Sequence, residues 1–113
     1  MKIKNFKLAL FAAVIVFASP VLQAETVVVS QSSKTFVVKG SQVTSLMIKA
    51  GDTIAFLNED PWFHNIFSLS DLKAFDLGSY PRGQSKSVTF EKPGKLDIEC
   101  AIHPQMLLKV EVK

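Results

Sequence analysis

VTFEKPGKLDIECAIHPQM, residues Val88–Met106, alternates in polarity on both sides of a turn. Val88 and Phe90 share one face before EKPGK; Leu96, Ile98 and Cys100 share one face after it. A period of two places alternate side chains on opposite sides of a strand, so both segments read as strands with one buried face. Cys100 therefore ends a strand and points inward, at the rim of the core. Ala101–Gln105 form a tight loop stiffened by Pro104. The chain then closes in LLKVEVK, where Leu108, Val110 and Val112 share a face. A thiol, an imidazole and a thioether (Cys100, His103 and Met106) are thus collected at one strand-to-strand loop.

Upstream segments have the same character. ETVVVS and KTFVVKG are rich in β-branched residues, and VTSLMIKAGDTIAFLNED reads as two short strands around Ala50-Gly51-Asp52. WFHNIFSL is a further apolar and aromatic run, with His64 near its start after the loop NEDP. Residues 70–83 are less regular, and a short helical turn is expected at Leu72–Ala74. Short alternating strands separated by Gly and Pro turns predict an antiparallel sandwich. Both histidines then fall at one end of it. The chain shows no repeat, low-complexity stretch or linker.

The first residues form a different unit. Lys2, Lys4 and Lys7 precede an apolar run, Leu8–Ala18, of eleven residues. That is short of the roughly 20 residues a helix needs to cross a bilayer. Ser19, Pro20 and Ala24 complete the pattern of a secretory signal peptide. Cleavage is expected after Ala24, giving a signal peptide over 1–24, one domain over 25–113, and an exported, periplasmic product without a membrane span. An uncleaved anchor is the alternative that the short run disfavours.

Three of the thirteen Lys and Arg lie in this leader, which has no Asp or Glu. The remaining ten face ten acidic residues, so the basic character belongs to the precursor and no nucleic-acid partner is expected. The remaining 89 residues suffice for one modest core. A single cysteine cannot form an internal disulfide. In an oxidising compartment it is either inert and buried or occupied.

Donor chemistry narrows the use of that cysteine. A structural zinc site takes four Cys/His ligands, and this chain has one Cys and two His. A cysteine protease needs a base, an orienting group and an oxyanion hole, and no helix start bearing a nucleophile is evident. Two imidazoles and one thiolate with a weak axial thioether fit a blue-copper arrangement. A site held between the geometries preferred by Cu(II) and Cu(I) moves little on electron transfer.

The order of pieces resembles the cupredoxin family, in the group of plastocyanin, pseudoazurin and amicyanin. IKAGDTIAFLNED resembles its strand-turn-strand, HNI its first-histidine motif, and VTFEKPGKLDIECAIHPQM its approach to the Cys–His–Met loop. The resemblance spans about residues 43–112, and the two-residue gap between His103 and Met106 is the short, amicyanin-like loop. It implies an all-β, cupredoxin-like Greek-key sandwich of about seven to eight strands, holding one type 1 copper per chain. It also implies equatorial ligation by His64, Cys100 and His103, and axial ligation by Met106. Asn65 matches the family's asparagine that ties the ligand segments together. Its usual Ser or Thr partner is Ala101 here, so backbone groups must serve instead, and Leu107 replaces a frequent glycine.

The implied function is transfer of single electrons between redox protein partners by a monomer that is not an enzyme. Two histidines cannot build the extra centres of a multicopper enzyme. Trp62, Ile102 and Pro104, with Phe63, are expected to form an apolar docking patch around the edge of His103; core packing is the plainer role for Trp62 and Phe63. Arg82 and the lysines read as ordinary solvated charge, and Met47 as core filler. The rival readings are a copper-delivery protein, in which the metal is cargo, and an exported structural sandwich without metal.

Overall fold

The computed structural model describes residues 23–113. Apart from its last two residues, the expected signal peptide lies outside them. Ten strands follow in order: β1 Thr26–Ser32, β2 Thr35–Val38, β3 Ser41–Gln42, β4 Ser45–Ile48, β5 Thr53–Asn58, β6 His64–Ser68, β7 Phe75–Tyr80, β8 Ser85–Thr89, β9 Gly94–Cys100 and β10 Leu107–Val112. They form two five-stranded sheets, ordered β3-β2-β1-β5-β8 and β4-β10-β9-β6-β7.

The alternation seen in the sequence is the burial pattern of the strands. β5 buries Ile54, Phe56 and Asn58; β9 buries Leu96, Ile98 and Cys100; β10 buries Leu108, Val110 and Val112. Phe36 and Phe56 from the first sheet, with Phe90 just past the end of β8, meet Ile66, Tyr80, Ile98 and Leu108 from the second. Phe75 bridges the edge, with its ring centroid 6.5 Å from Phe56 and 6.1 Å from Phe90. Met47, in contrast, lies outside the core, with 59% of its surface exposed.

The strand count exceeds seven to eight because left-handed turns subdivide the first half. Ser33, Lys34 and Lys39 have positive φ, and β3 is two residues long. Pairing is mixed rather than purely antiparallel: β1 runs parallel to β5, and β10 parallel to β4. A period of two reports which face is buried and is silent on the direction of the neighbouring strand. No helical turn forms at Leu72–Ala74; Asp71 and Leu72 make a turn and β7 begins at Phe75. Among the described residues no helix is long and apolar enough to cross a membrane.

The β4–β5 turn is held by a carboxylate. Asp52 accepts the amides of Lys49 (2.8 Å) and Glu25 (2.9 Å). The bond from Glu25, then that from Lys49, hold its pKa below the usual 3.8 against an opposing effect of burial. A depressed folded-state pKa stabilises the fold above the unfolded value and loses that contribution as pH falls through the folded value. Asp52→Asn is therefore expected to lower the melting temperature at neutral pH and to flatten acid unfolding below about pH 4. Parallel wild-type and variant acid-unfolding curves are the contrary result.

Candidate metal centre

Two strand ends and one loop build the site. His64 opens β6, Cys100 closes β9, and the two strands pair antiparallel with Ile66 opposite Cys100. This register brings His64 Nδ1 to 3.6 Å from Cys100 Sγ. The following loop turns His103 back on the same thiol, with Nδ1 3.7 Å from Sγ. One donor atom each from His64, Cys100 and His103 lies within 4.8 Å of the others. The two imidazole rings are tilted, with centroids 5.0 Å apart. Met106 is buried beneath the loop, and its amide donates to the His103 carbonyl at 2.9 Å.

Burial is uneven across the cluster. His64 is fully buried, Cys100 and Met106 nearly so, and His103 is partly exposed. His103 is therefore the donor with an edge toward solvent. Burial first, then the charges of His64 and Lys34, hold His103 below the ordinary 6.5, against an opposing pull from Asp60. A lowered pKa keeps the imidazole neutral near pH 7 and leaves its nitrogen lone pair available. Tyr80 packs behind the cluster, opposite His64 across β6 and β7. Burial, and then the Cys100 sulfur, push its phenol well above the ordinary 10.0. Its hydroxyl donates to Gln31 Oε1 at 2.7 Å.

Asn65 ties the ligand segments together through its main chain: its carbonyl accepts the Ala101 amide at 3.0 Å. Its side-chain Oδ1 is buried without a hydrogen-bond partner. This follows from alanine at 101, whose side chain offers no donor. No backbone group takes the place of that hydroxyl at Oδ1; the link between the two segments runs through Asn65's own carbonyl.

Sequence reading missed Asp60, which is 4% exposed. Its Oδ2 accepts His64 Nε2–H at 2.7 Å. Burial raises its pKa, but the Lys34 amide, His64 and the Ser33 amide together bring it below the usual 3.8. The spacing Asp60-x3-His64 was the available signal, and outside a helix it carries little weight. Asn58 was missed as well; its side chain accepts the Asp60 amide and donates to the carbonyls of Trp62 and Tyr80.

The apolar residues around the cluster are exposed. Phe63 (55%), Ile102 (50%) and Trp62 (39%) flank the ligand histidines in sequence, and Pro104 is exposed beside His103. Trp62 lies 6.2 Å from the His103 ring between centroids, and Lys34 Nζ sits 4.9 Å over the indole. Trp62 and Phe63 thus lie outside the core. Arg82, with Gly83, sits near Asn58 and Glu59.

The donor set fits copper. Two imidazole nitrogens and a cysteine sulfur, with the Met106 thioether buried at the end of the same loop, are soft enough for Cu(I) and suit Cu(II), and among the described residues no carboxylate belongs to the cluster.

No family model matches the chain, and no curated protein matches it. Solved structures do. A Cu(I) form of an amicyanin mutant aligns with a TM-score of 0.68 and 25% identity, covering 78% of this chain and 82% of that one. A reduced Cu(I) form of another amicyanin mutant, at pH 4, aligns at 0.68 and 26% over the same shares. The reduced state of a third aligns at 0.66 and 26%, again over 78% and 82%. The chain has the cupredoxin fold, and His64, Cys100, His103 and Met106 form a site suited to copper.

Proposed function

We propose that this cupredoxin-type copper protein carries single electrons between redox partners in the periplasm, after cleavage behind Ala24. In this reading His64, Cys100 and His103 would hold the copper as its strong donors and Met106 as a weak one. The observation that carries the proposal is the closeness of the three donor atoms, within 4.8 Å of one another on the ends of paired strands. Bound copper supplies the one-electron couple. The chain's part is to hold the donors where oxidation and reduction require little rearrangement. β6 and β9 fix His64 and Cys100, and the Met106-to-His103 hydrogen bond closes the loop that carries the second imidazole.

Electrons enter and leave at His103, the donor with an exposed edge. Trp62, Ile102 and Pro104, with Phe63, provide the apolar surface around it. The balanced charge of residues 25–113 favours recognition by shape and apolar contact over strong long-range steering. The protein works as a monomer and makes or breaks no covalent bond in its partner. Ile102→Glu is expected to slow reaction with the physiological partner about tenfold or more, the effect of losing a central contact. Its visible spectrum should stay as in wild type. An unchanged partner rate in stopped flow moves docking to another face.

Met106 tunes the site in this reading and does not hold it together. A thioether is a weak axial donor whose loss costs Cu(II) more than Cu(I). Met106→Leu should therefore keep the blue colour and raise the reduction potential. Loss of copper binding in a titration of that variant assigns the sulfur a holding role instead.

The test of the metal centre is titration of the purified protein with Cu(II), followed by absorption and EPR. Intense charge-transfer colour with a narrow copper hyperfine splitting is expected from a covalent Cys100 bond. A colourless complex with an ordinary tetragonal signal overturns the assignment.

A further inference from the structure

We propose that Asp60 is a positioning residue of the metal centre, which locks His64 with Nδ1 toward Cys100 and ties that ligand to the β1–β2 turn. The inference rests on the copper reading for its effect on potential, and on the geometry alone for its effect on His64.

The carboxylate spends both oxygens. Oδ2 accepts His64 Nε2–H at 2.7 Å and the Lys34 amide at 3.0 Å, and Oδ1 accepts the Ser33 amide at 2.6 Å. An ionised carboxylate can only accept, and a neutral imidazole has a single N–H. In the neutral ring the one His64 proton must therefore sit on Nε2. The lone pair of Nδ1 is left facing Cys100 Sγ, 3.6 Å away. Without Asp60, neither ring nitrogen is favoured, and rotation about the Cβ–Cγ bond could turn Nδ1 away.

The two amides come from a special backbone. Ser33 and Lys34 both have positive φ, 53° and 57°, the pattern of a two-residue hairpin turn between β1 and β2. Their N–H groups converge on one acceptor. Asp60 is itself fixed, because its amide donates to Asn58 Oδ1 at 2.8 Å. The same turn carries Lys34 over Trp62, whose ring lies against His103. One buried carboxylate thus braces the enclosed ligand directly and holds the turn that reaches the exposed one.

The charge has a chemical consequence. A carboxylate on the far nitrogen makes an imidazole a stronger donor. A nearby negative charge also favours the more highly charged Cu(II) state. Removing it should weaken Cu(II) binding by roughly 10–100-fold. If Cu(I) binding is unaffected, the potential rises by about 59 mV for each factor of ten.

The experiment has a metal-free arm and a copper arm. In the metal-free wild type, at a pH where the ring is neutral, nitrogen NMR of His64 should show Nε2 protonated and Nδ1 bare. A neutral ring with its proton on Nδ1 overturns the proposal, whatever copper does. Asp60→Asn should release that preference, weaken Cu(II) binding within the stated range and raise the potential; Asp60→Glu, which keeps the charge, should restore the potential toward wild type. A variant that melts earlier with His64 tautomer and potential unchanged shows that Asp60 only caps the turn, and overturns the proposal. If Asp60→Asn does not fold, the tautomer of the wild type and the potential of Asp60→Glu decide. A wild type that fails to turn blue refutes the copper reading and leaves the tautomer result standing.

Discussion

Cys100→Ser should abolish the blue colour entirely while leaving the fold in place. The colour of a type 1 centre is charge transfer from thiolate to Cu(II), and a serine hydroxyl, which stays protonated near neutral pH, offers no comparable donor. Residual Cu(II) held by His64 and His103 would give only weak absorption and a wide hyperfine splitting. The substitution is close to isosteric, and the new hydroxyl lies beside two imidazole nitrogens that now stand 3.6 Å and 3.7 Å from the sulfur. The C–O bond is shorter than C–S, so the hydroxyl starts out unbonded at a cost of about 1–3 kcal/mol, small enough against a domain's usual stability of about 5–15 kcal/mol that a folded, colourless protein is expected. Circular dichroism and absorption on one sample check both halves. Retained intense colour places the sulfur outside the copper bond.

The reduction potential should rise as pH falls below the reduced-state pKa of His103. Of the two imidazoles, only His103 has an edge toward solvent, and His64 is enclosed and bonded to Asp60. Cu(I) tolerates three ligands better than Cu(II) does, so protonation can release His103 in the reduced state. A proton taken up only by the reduced form stabilises that form. One proton per electron gives a limiting slope of about 59 mV per pH unit. Burial, and then the neighbouring His64 and Lys34, already hold His103 below 6.5 without metal, and competition with copper acts in the same direction. The rise therefore belongs in mildly acidic solution. Voltammetry across that range, with NMR of the Cu(I) form, checks it. A flat potential with no titration of His103 shows a loop that holds its imidazole on the metal in both states.

Much of this centre is legible in the sequence because its ligands sit at the ends of regular elements. Leu96, Ile98 and Cys100 alternate in the sequence and share a buried face in β9. His64 opens the strand that pairs with it. Local periodicity supplies that much. It does not encode direction, so the parallel pairs β1–β5 and β4–β10 were invisible. Nor does it count strands where Ser33, Lys34, Lys39 and Gly40 take left-handed backbone conformations and break the first half into short pieces.

Asp60 was hidden for a different reason. In NEDP it looks like a turn residue, and its partners at Ser33 and Lys34 lie 27 and 26 positions away. Only the packing of the β1–β2 turn against the β5–β6 loop creates the site for its charge. The orphaned Oδ1 of Asn65 is the converse case, since Ala101 announces in the sequence that the usual hydroxyl partner is absent.

The most direct measurement of the central claim is the electrochemical reversibility of the copper-loaded chain with an excess of a Cu(I) chelator present. A single one-electron wave that persists over repeated cycles, with no copper passing to the chelator, is predicted for an electron carrier whose donors hold both oxidation states. Loss of the wave after the first reduction, with copper recovered on the chelator, contradicts the account and makes the metal cargo.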